Sequence, residues 1–171
     1  SFRNASGHVD RFFEQVDALW QTGHGRGDRL SSILGEGDSF DNTNAMLLNG
    51  CKHGMTLVDN SHGGPPMGSI VHPMRFAQLS YAGNAILRAI PADADAVVWV
   101  ESDLLWGAET LLALVEGLRE AAVVAPMVLA SDHPERFYDI WAYRKDGRHF
   151  APFPPYHPVV PQAAPVGAVE V

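Results

Sequence analysis

The stretch Ala96-Val97-Val98-Trp99-Val100-Glu101-Ser102-Asp103-Leu104-Leu105-Trp106 decides how the chain is read. An apolar run with three valines comes first, and such a run suits a strand buried on both faces of a parallel sheet. It leads directly into two carboxylates spaced i and i+2. Like charges a few ångströms apart repel and are costly to desolvate, so a buried strand should not end on such a pair unsupported. A hard divalent cation resolves the conflict, because Mg2+ and Mn2+ prefer oxygen ligands. A solvated turn, with Asp103 capping the next helix, resolves it as well. Spacing alone leaves both readings open.

Working outward, Glu109 to Arg119 reads as a helix with Leu111, Leu112, Val115 and Leu118 inward, and Ala122 to Leu129 as another apolar strand. Upstream, Phe76, Leu79, Gly83, Ile86 and Ile90 share one face of a helix closed by Pro91. Met55 to Val58 and Leu30 to Leu34 read as short strands, with Asn42 to Asn49 as a helix between them. Near the start, Val9, Phe12, Phe13, Val16 and Leu19 form the apolar face of a helix over Val9 to Trp20. Asp10, Arg11, Glu14 and Gln15 fall largely off that face, and Gly23, Gly25 and Gly27 are expected to end the helix. Phe137 to Tyr143 reads as a late strand, Asp146-Gly147 as a turn, and the Pro-rich stretch after Ala151 as irregular. Strands alternating with helices predict an α/β fold, a three-layer sandwich with a mainly parallel sheet. Ligands in such sheets sit beyond the carboxyl ends of the strands. That rule selects the loops after Leu34 and after Val100, and both carry carboxylates.

Composition limits the function classes. With 46% hydrophobic and 19% charged residues the 171-residue chain is globular rather than disordered, and one domain spanning 1–171 is expected, incomplete at both ends. A net charge of −8 without any basic run argues against nucleic-acid binding, which needs clustered Lys and Arg. Cys51 is the single cysteine, so an internal disulfide and a thiolate zinc cage are excluded, and a small buried side chain is expected there. No apolar run is long enough to span a membrane and no signal peptide is visible, so a cytoplasmic location is expected. Neither a Gly-x-Ser-x-Gly elbow nor a Gly-x-x-x-x-Gly-Lys phosphate loop occurs.

The residues from Val98 to Trp106 resemble the strand and Asp-x-Asp motif of glycosyltransferases with the GT-A fold, family 2 especially, and the helix after Gly107 matches the one that follows it there. Ser32-Ile33-Leu34-Gly35-Glu36-Gly37-Asp38-Ser39-Phe40-Asp41-Asn42-Thr43 is similar to the family's second strand and its Asp-Gly-Ser-x-Asp-x-Thr turn, with Gly and Asp exchanged. Phe2-Arg3-Asn4-Ala5-Ser6 resembles the loop after the family's first strand, and that strand is absent from this sequence. Tyr138-Asp139-Ile140-Trp141-Ala142-Tyr143-Arg144-Lys145-Asp146-Gly147 is similar to a stretch of the fungal capsule-associated mannosyltransferases.

The resemblance implies transfer of a hexosyl group, mannosyl favoured, from a nucleoside diphosphate sugar to a carbohydrate or other hydroxyl acceptor. The cofactors would be Mn2+ or Mg2+, and the donor GDP-mannose, with a UDP-sugar as the other option. Asp103 is implied as the direct metal ligand, with Glu101 contacting metal or ribose, and Glu36 and Asp38 as nucleoside contacts. Asn84 matches the Asn of an Arg-Asn pair whose Arg is replaced by Gly83, and Arg75 is the substitute cation. His149 or His157 would be the additional downstream ligand. No residue is assigned as the catalytic base. A non-catalytic or truncated nucleotide-sugar-binding module is the alternative.

Overall fold

The computed structural model describes residues 1–52, 54–68, 70–133, 135–138 and 143–157. They form a mixed α/β fold organised as two compact units, residues 1–122 and, among the described residues, 123–157.

In the first unit, α1 (Ser6–Arg26) buries Val9, Phe12 and Val16. That is the stripe its spacing demands, since residues three and four apart share a helical face. The helix continues through Gly23 and Gly25 and ends at Gly27, whose φ of 86° is the left-handed cap conformation that glycine adopts without a Cβ clash. The expected helix over Val9 to Trp20 is therefore short by three residues at its start and six at its end, and of the three glycines expected to end it Gly27 is the one that does. Leu30 packs against Gly23, and a Cβ there would approach its Cδ1 to 2.6 Å.

β1 (Ser32–Glu36) and β2 (Met55–Asp59) pair in parallel with Ser32 opposite Met55 and Glu36 opposite Asp59. α2 (Thr43–Gly50) is the crossover between them. Side chains alternate across a strand, and the two faces of β1 meet different helices. Leu34 joins Phe2, Val9, Phe12, Val16 and Leu47 in the core beneath α1 and α2. Gly35, on the other face, lies so close to Ile86 of α3 (Pro73–Leu87) that no Cβ would fit. Leu47 and Val9 are completely buried, each contributing about 1.5–3 kcal/mol of transfer free energy. α4 (Ala108–Gly117) buries Leu111 and Leu112 and packs on α1.

Residues 96–100 form no strand, contrary to the expected central one, and Val97, Val98 and Trp99 are 51%, 40% and 44% exposed. The reason is the absence of a hydrogen-bonding neighbour. A cavity of about 140 Å³, lined by Ser1, Ile33, Ile86, Val98 and Val100 among others, separates the segment from β1. A β-branched run gains strand geometry from cross-strand partners rather than from its own backbone preference. The apolar stretch from Ala122 likewise forms no strand, and Val123 is 76% exposed. In α3 only Ile86 of the expected face is buried, whereas Phe76 and Leu79 are exposed.

In the second unit, Leu129 bridges Phe137 antiparallel. Phe137 packs on Tyr143 and Phe150 with centroids 5.3 and 5.8 Å apart. The Asp146-Gly147 turn expected from sequence closes a hairpin of β3 (Arg144–Lys145) and β4 (Arg148–His149). Its φ values of 51° and 72° are those of a type I′ turn. Residues 139–142 of the expected late strand, which include most of the Tyr-Asp-x-Trp-Ala stretch, lie outside the described residues.

Candidate functional site

The carboxyl ends of β1 and β2 carry Glu36 and Asp59, and the loops that follow them fold back on one another. Glu36 continues the inward face of Leu34 and is 6% exposed. Its Oε2 accepts from Asn44 Nδ2 of α2 at 2.6 Å, while Oε1 is buried without a hydrogen-bond partner. Gly37 then passes too close to the Asn60–Ser61 backbone for any side chain. Asp38 adopts φ 58°, a conformation in which its carboxylate accepts from the backbone N–H groups of His62 at 2.9 Å and Gly63 at 3.2 Å. Those bonds, that from His62 foremost, hold its carboxyl below the usual carboxylate range.

Polar neighbours lie at both ring nitrogens of His62, of which only one can accept in the neutral ring. Gly64 N–H donates to Nδ1 at 3.0 Å, and Arg3 Nη1 lies 3.2 Å from Nε2. Arg3 Nη2 also donates to the Gly64 carbonyl at 2.9 Å. Arg3, Asp38, His62 and Gly64 thus form one interlocked polar cluster at the strand ends. Sequence reasoning found Asp38 but neither Arg3 nor His62.

The acidic turn reaches the same end through the first two residues. Phe2 N–H donates to the Gly35 carbonyl at 2.7 Å, and Phe2 bridges Glu36 in the parallel sense. Ser1 Oγ accepts from the buried Asn60 Nδ2 at 3.0 Å, and the Ser1 nitrogen lies 3.8 Å from Glu101 Oε2. Asn60 N–H donates to the Glu36 carbonyl at 2.9 Å, so contacts run from Glu36 through Asn60 and Ser1 to Glu101. Glu101 and Asp103 are both exposed, in a turn closed by Leu104 N–H donating to the Glu101 carbonyl at 3.3 Å. Trp99 Nε1 donates to Glu101 Oε1 at 2.9 Å. The N-cap of α4 is Gly107, and no side chain caps that helix. Asp103 is not its cap.

Arg75 and Asn84 both sit on α3, Arg75 half-buried and Asn84 exposed. Among the described residues no hydrogen bond or ion pair joins either to Glu36, Asp38, Glu101 or Asp103. Gly83 faces the Trp99 ring, which a Cβ there would meet at 3.8 Å. His149 stands on β4 in the second unit, and His157, 2% exposed in that unit, lies with Nε2 2.9 Å from the Lys145 carbonyl.

A divalent cation would find two carboxylates at this turn, one oxygen of Glu101 being already engaged by Trp99. Among the described residues no group of three or more His, Cys, Asp or Glu side chains is close enough to cage a metal. Two exposed carboxylates suit Mg2+ or Mn2+ when phosphate oxygens and water complete the shell, as is usual for phosphate-bridging cations. Among the described residues no helix is long and apolar enough to cross a membrane. Comparison with family models, with curated proteins and with solved structures returns no match.

Proposed function

We propose that this chain is the nucleotide-sugar-binding part of a metal-dependent glycosyltransferase of the GT-A type, moving a hexosyl group from a nucleoside diphosphate sugar to a hydroxyl acceptor. The single observation that supports it is the Asn60–Ser1–Glu101 chain of contacts, which sets the acidic turn at the carboxyl end of β1 and β2. Helices on both faces of the parallel pair accord with the three-layer sandwich that such an enzyme would have.

In this reading Asp103 and Glu101 hold Mn2+ or Mg2+, which offsets the charge that develops on the departing diphosphate. Asp103, with no capping duty, offers its carboxylate freely. Glu101 is oriented by the Trp99 indole N–H. Asp38 folds the 61–64 loop around its carboxylate, and Arg3 supplies positive charge to that loop. Asp38 Oδ1, which accepts from Gly63 N–H at 3.3 Å, keeps a lone pair with which Asp38 also contacts the nucleoside, beside Glu36. Mannose as the sugar and GDP as the nucleotide rest on the short Tyr138 to Gly147 resemblance alone.

The test is thermal stabilisation by ligand, since anything that binds only the native state raises its stability. GDP with Mn2+ should raise the melting temperature, and GDP with a chelator should not. Equal stabilisation in the two conditions excludes a metal-bridged diphosphate. Stabilisation by GDP with Mn2+ but no turnover of GDP-mannose in the presence of candidate acceptors favours the non-catalytic binding module.

A further inference from the structure

The acidic turn is fastened to α1 by side chains that no apolar pattern accounts for. Gln15 Nε2 donates to the Trp106 carbonyl at 2.6 Å, and Arg11 Nη2 donates to the Ser102 carbonyl at 3.4 Å. Positions 11 and 15 lie one helical turn apart and share a face. Phe12, beside them, meets the Trp106 ring edge-on with centroids 6.2 Å apart. The turn from Ser102 to Trp106 is thus held at both ends on α1, a helix more than eighty residues earlier in the chain.

We propose that Arg11 and Gln15 are positioning residues for Glu101 and Asp103, fixing the turn so that its two carboxylates stay poised for a divalent cation and a nucleoside diphosphate. The inference rests on the function proposed above. Two observations carry it beyond simple packing. First, two like charges at i and i+2 repel, and an exposed turn with one internal hydrogen bond would relax by splaying them apart. Bonds that turn the Ser102 and Trp106 carbonyls towards α1 oppose that relaxation and keep carbonyl oxygens away from an incoming anion. Second, the anchoring is made at a local cost. Arg11 Nε and Gln15 Oε1 are buried without hydrogen-bond partners. An unsatisfied buried polar atom is unfavourable by about 1–3 kcal/mol. Local rules are broken in this way where function requires it.

The experiment uses Gln15→Leu and Gln15→Glu, neither of which offers a donor at neutral pH, with Arg11→Met and its conservative counterpart Arg11→Lys. Two readouts are taken on the full chain: amide hydrogen exchange across residues 101–107 without ligand, and the affinity for GDP with Mn2+ and with chelator. In Gln15→Leu, Gln15→Glu and Arg11→Met, turn exchange should quicken and Mn2+-dependent affinity should fall roughly three- to tenfold, the range expected for one lost hydrogen bond. Affinity in chelator should not change, and Arg11→Lys should stay near the parent. A merely structural anchor would lower the melting temperature and leave the Mn2+-dependent affinity of the folded protein untouched, which overturns the inference. Unchanged exchange at the turn overturns it as well. If the parent itself shows no Mn2+-dependent GDP binding, the proposed function falls and takes this inference with it. If the parent binds and the variants bind equally well, the inference alone is overturned.

Discussion

Phe2 donates its backbone N–H to the carbonyl of Gly35 at 2.7 Å, and that bond draws the first residues of the chain onto the edge of β1 opposite β2. Its consequence reaches beyond local pairing. With Phe2 held there, Ser1 meets Asn60 on one side and Glu101 on the other. The strand ends and the acidic turn thereby share one end of the sheet, where ligands of parallel α/β folds bind.

Asp41 ties the start of α1 to the start of α2. Its Oδ1 accepts from the Thr43 hydroxyl at 2.5 Å, and its Oδ2 accepts from Ser6 N–H at 3.1 Å. These bonds, with Thr43 the foremost, hold its carboxyl well below its ordinary value of 3.8. A folded-state pKa below the unfolded one means that the unfolded chain binds more protons over the intervening range. The contribution is complete above the unfolded value and is lost as pH falls through the folded one. Denaturant unfolding of the parent and Asp41→Asn should show a stability gap constant above about pH 5 and narrowing below it. A gap that is unchanged at pH 3 contradicts this assignment.

Two adjacent leucines of α2 should behave oppositely. Leu47 is completely buried and Leu48 is 61% exposed. Leu47→Ala should lose about 2–5 kcal/mol through lost transfer energy and the cavity it leaves, whereas Leu48→Ala should stay within about 0.5 kcal/mol of the parent. Chemical denaturation measures both. Similar losses in the two variants would mean that the core beneath α1 and α2 is wrongly assigned.

The contact of Gly35 with Ile86 gives a coupled prediction. Gly35→Ala introduces a Cβ into the Ile86 side chain and should lose about 1–3 kcal/mol. Ile86→Ala removes the Cδ1 and Cγ1 atoms that the Cβ would meet at 2.3 and 2.6 Å, while Asn60 Nδ2 remains at 2.7 Å. The double variant should therefore be more stable than the sum of the single effects implies, by at least about 0.5 kcal/mol. Strict additivity in a double-mutant cycle would place α3 elsewhere than against Gly35.

Much of the fold was legible because local chemistry and packing agree there. Val9, Phe12 and Val16 mark α1 by spacing, Asp146-Gly147 marks a hairpin by turn chemistry, and β1, α2 and β2 fall within two residues of expectation. Residues 96–100 misled because a β-branched run signals a strand only when a neighbour is present to pair with it. The stop of α1 was misplaced because Gly23 is retained inside the helix to admit Leu30, a tertiary reason invisible to local pattern. At the site, the carboxylates were legible from their spacing, while Arg3, Arg11, Gln15 and His62 were not. The contacts of Arg3 with His62, of Arg11 with Ser102 and of Gln15 with Trp106 span 59 or more residues, and His62 is fixed on Asp38 across 24; no single-sequence pattern encodes such contacts.

The central claim is that Asp103, with Glu101, binds a divalent cation that bridges a nucleoside diphosphate, and calorimetric titration of GDP into parent and Asp103→Asn, with Mn2+ and with chelator, tests it most directly. An amide oxygen is neutral and a poorer ligand for a hard cation. The account predicts that Asp103→Asn loses at least about tenfold in Mn2+-dependent affinity, about 1.4 kcal/mol. The ligand-free melting temperature should hold or rise slightly, because the change relieves repulsion from Glu101 and α4 takes no cap from Asp103. Mn2+-dependent GDP binding of equal strength in parent and Asp103→Asn would contradict the account.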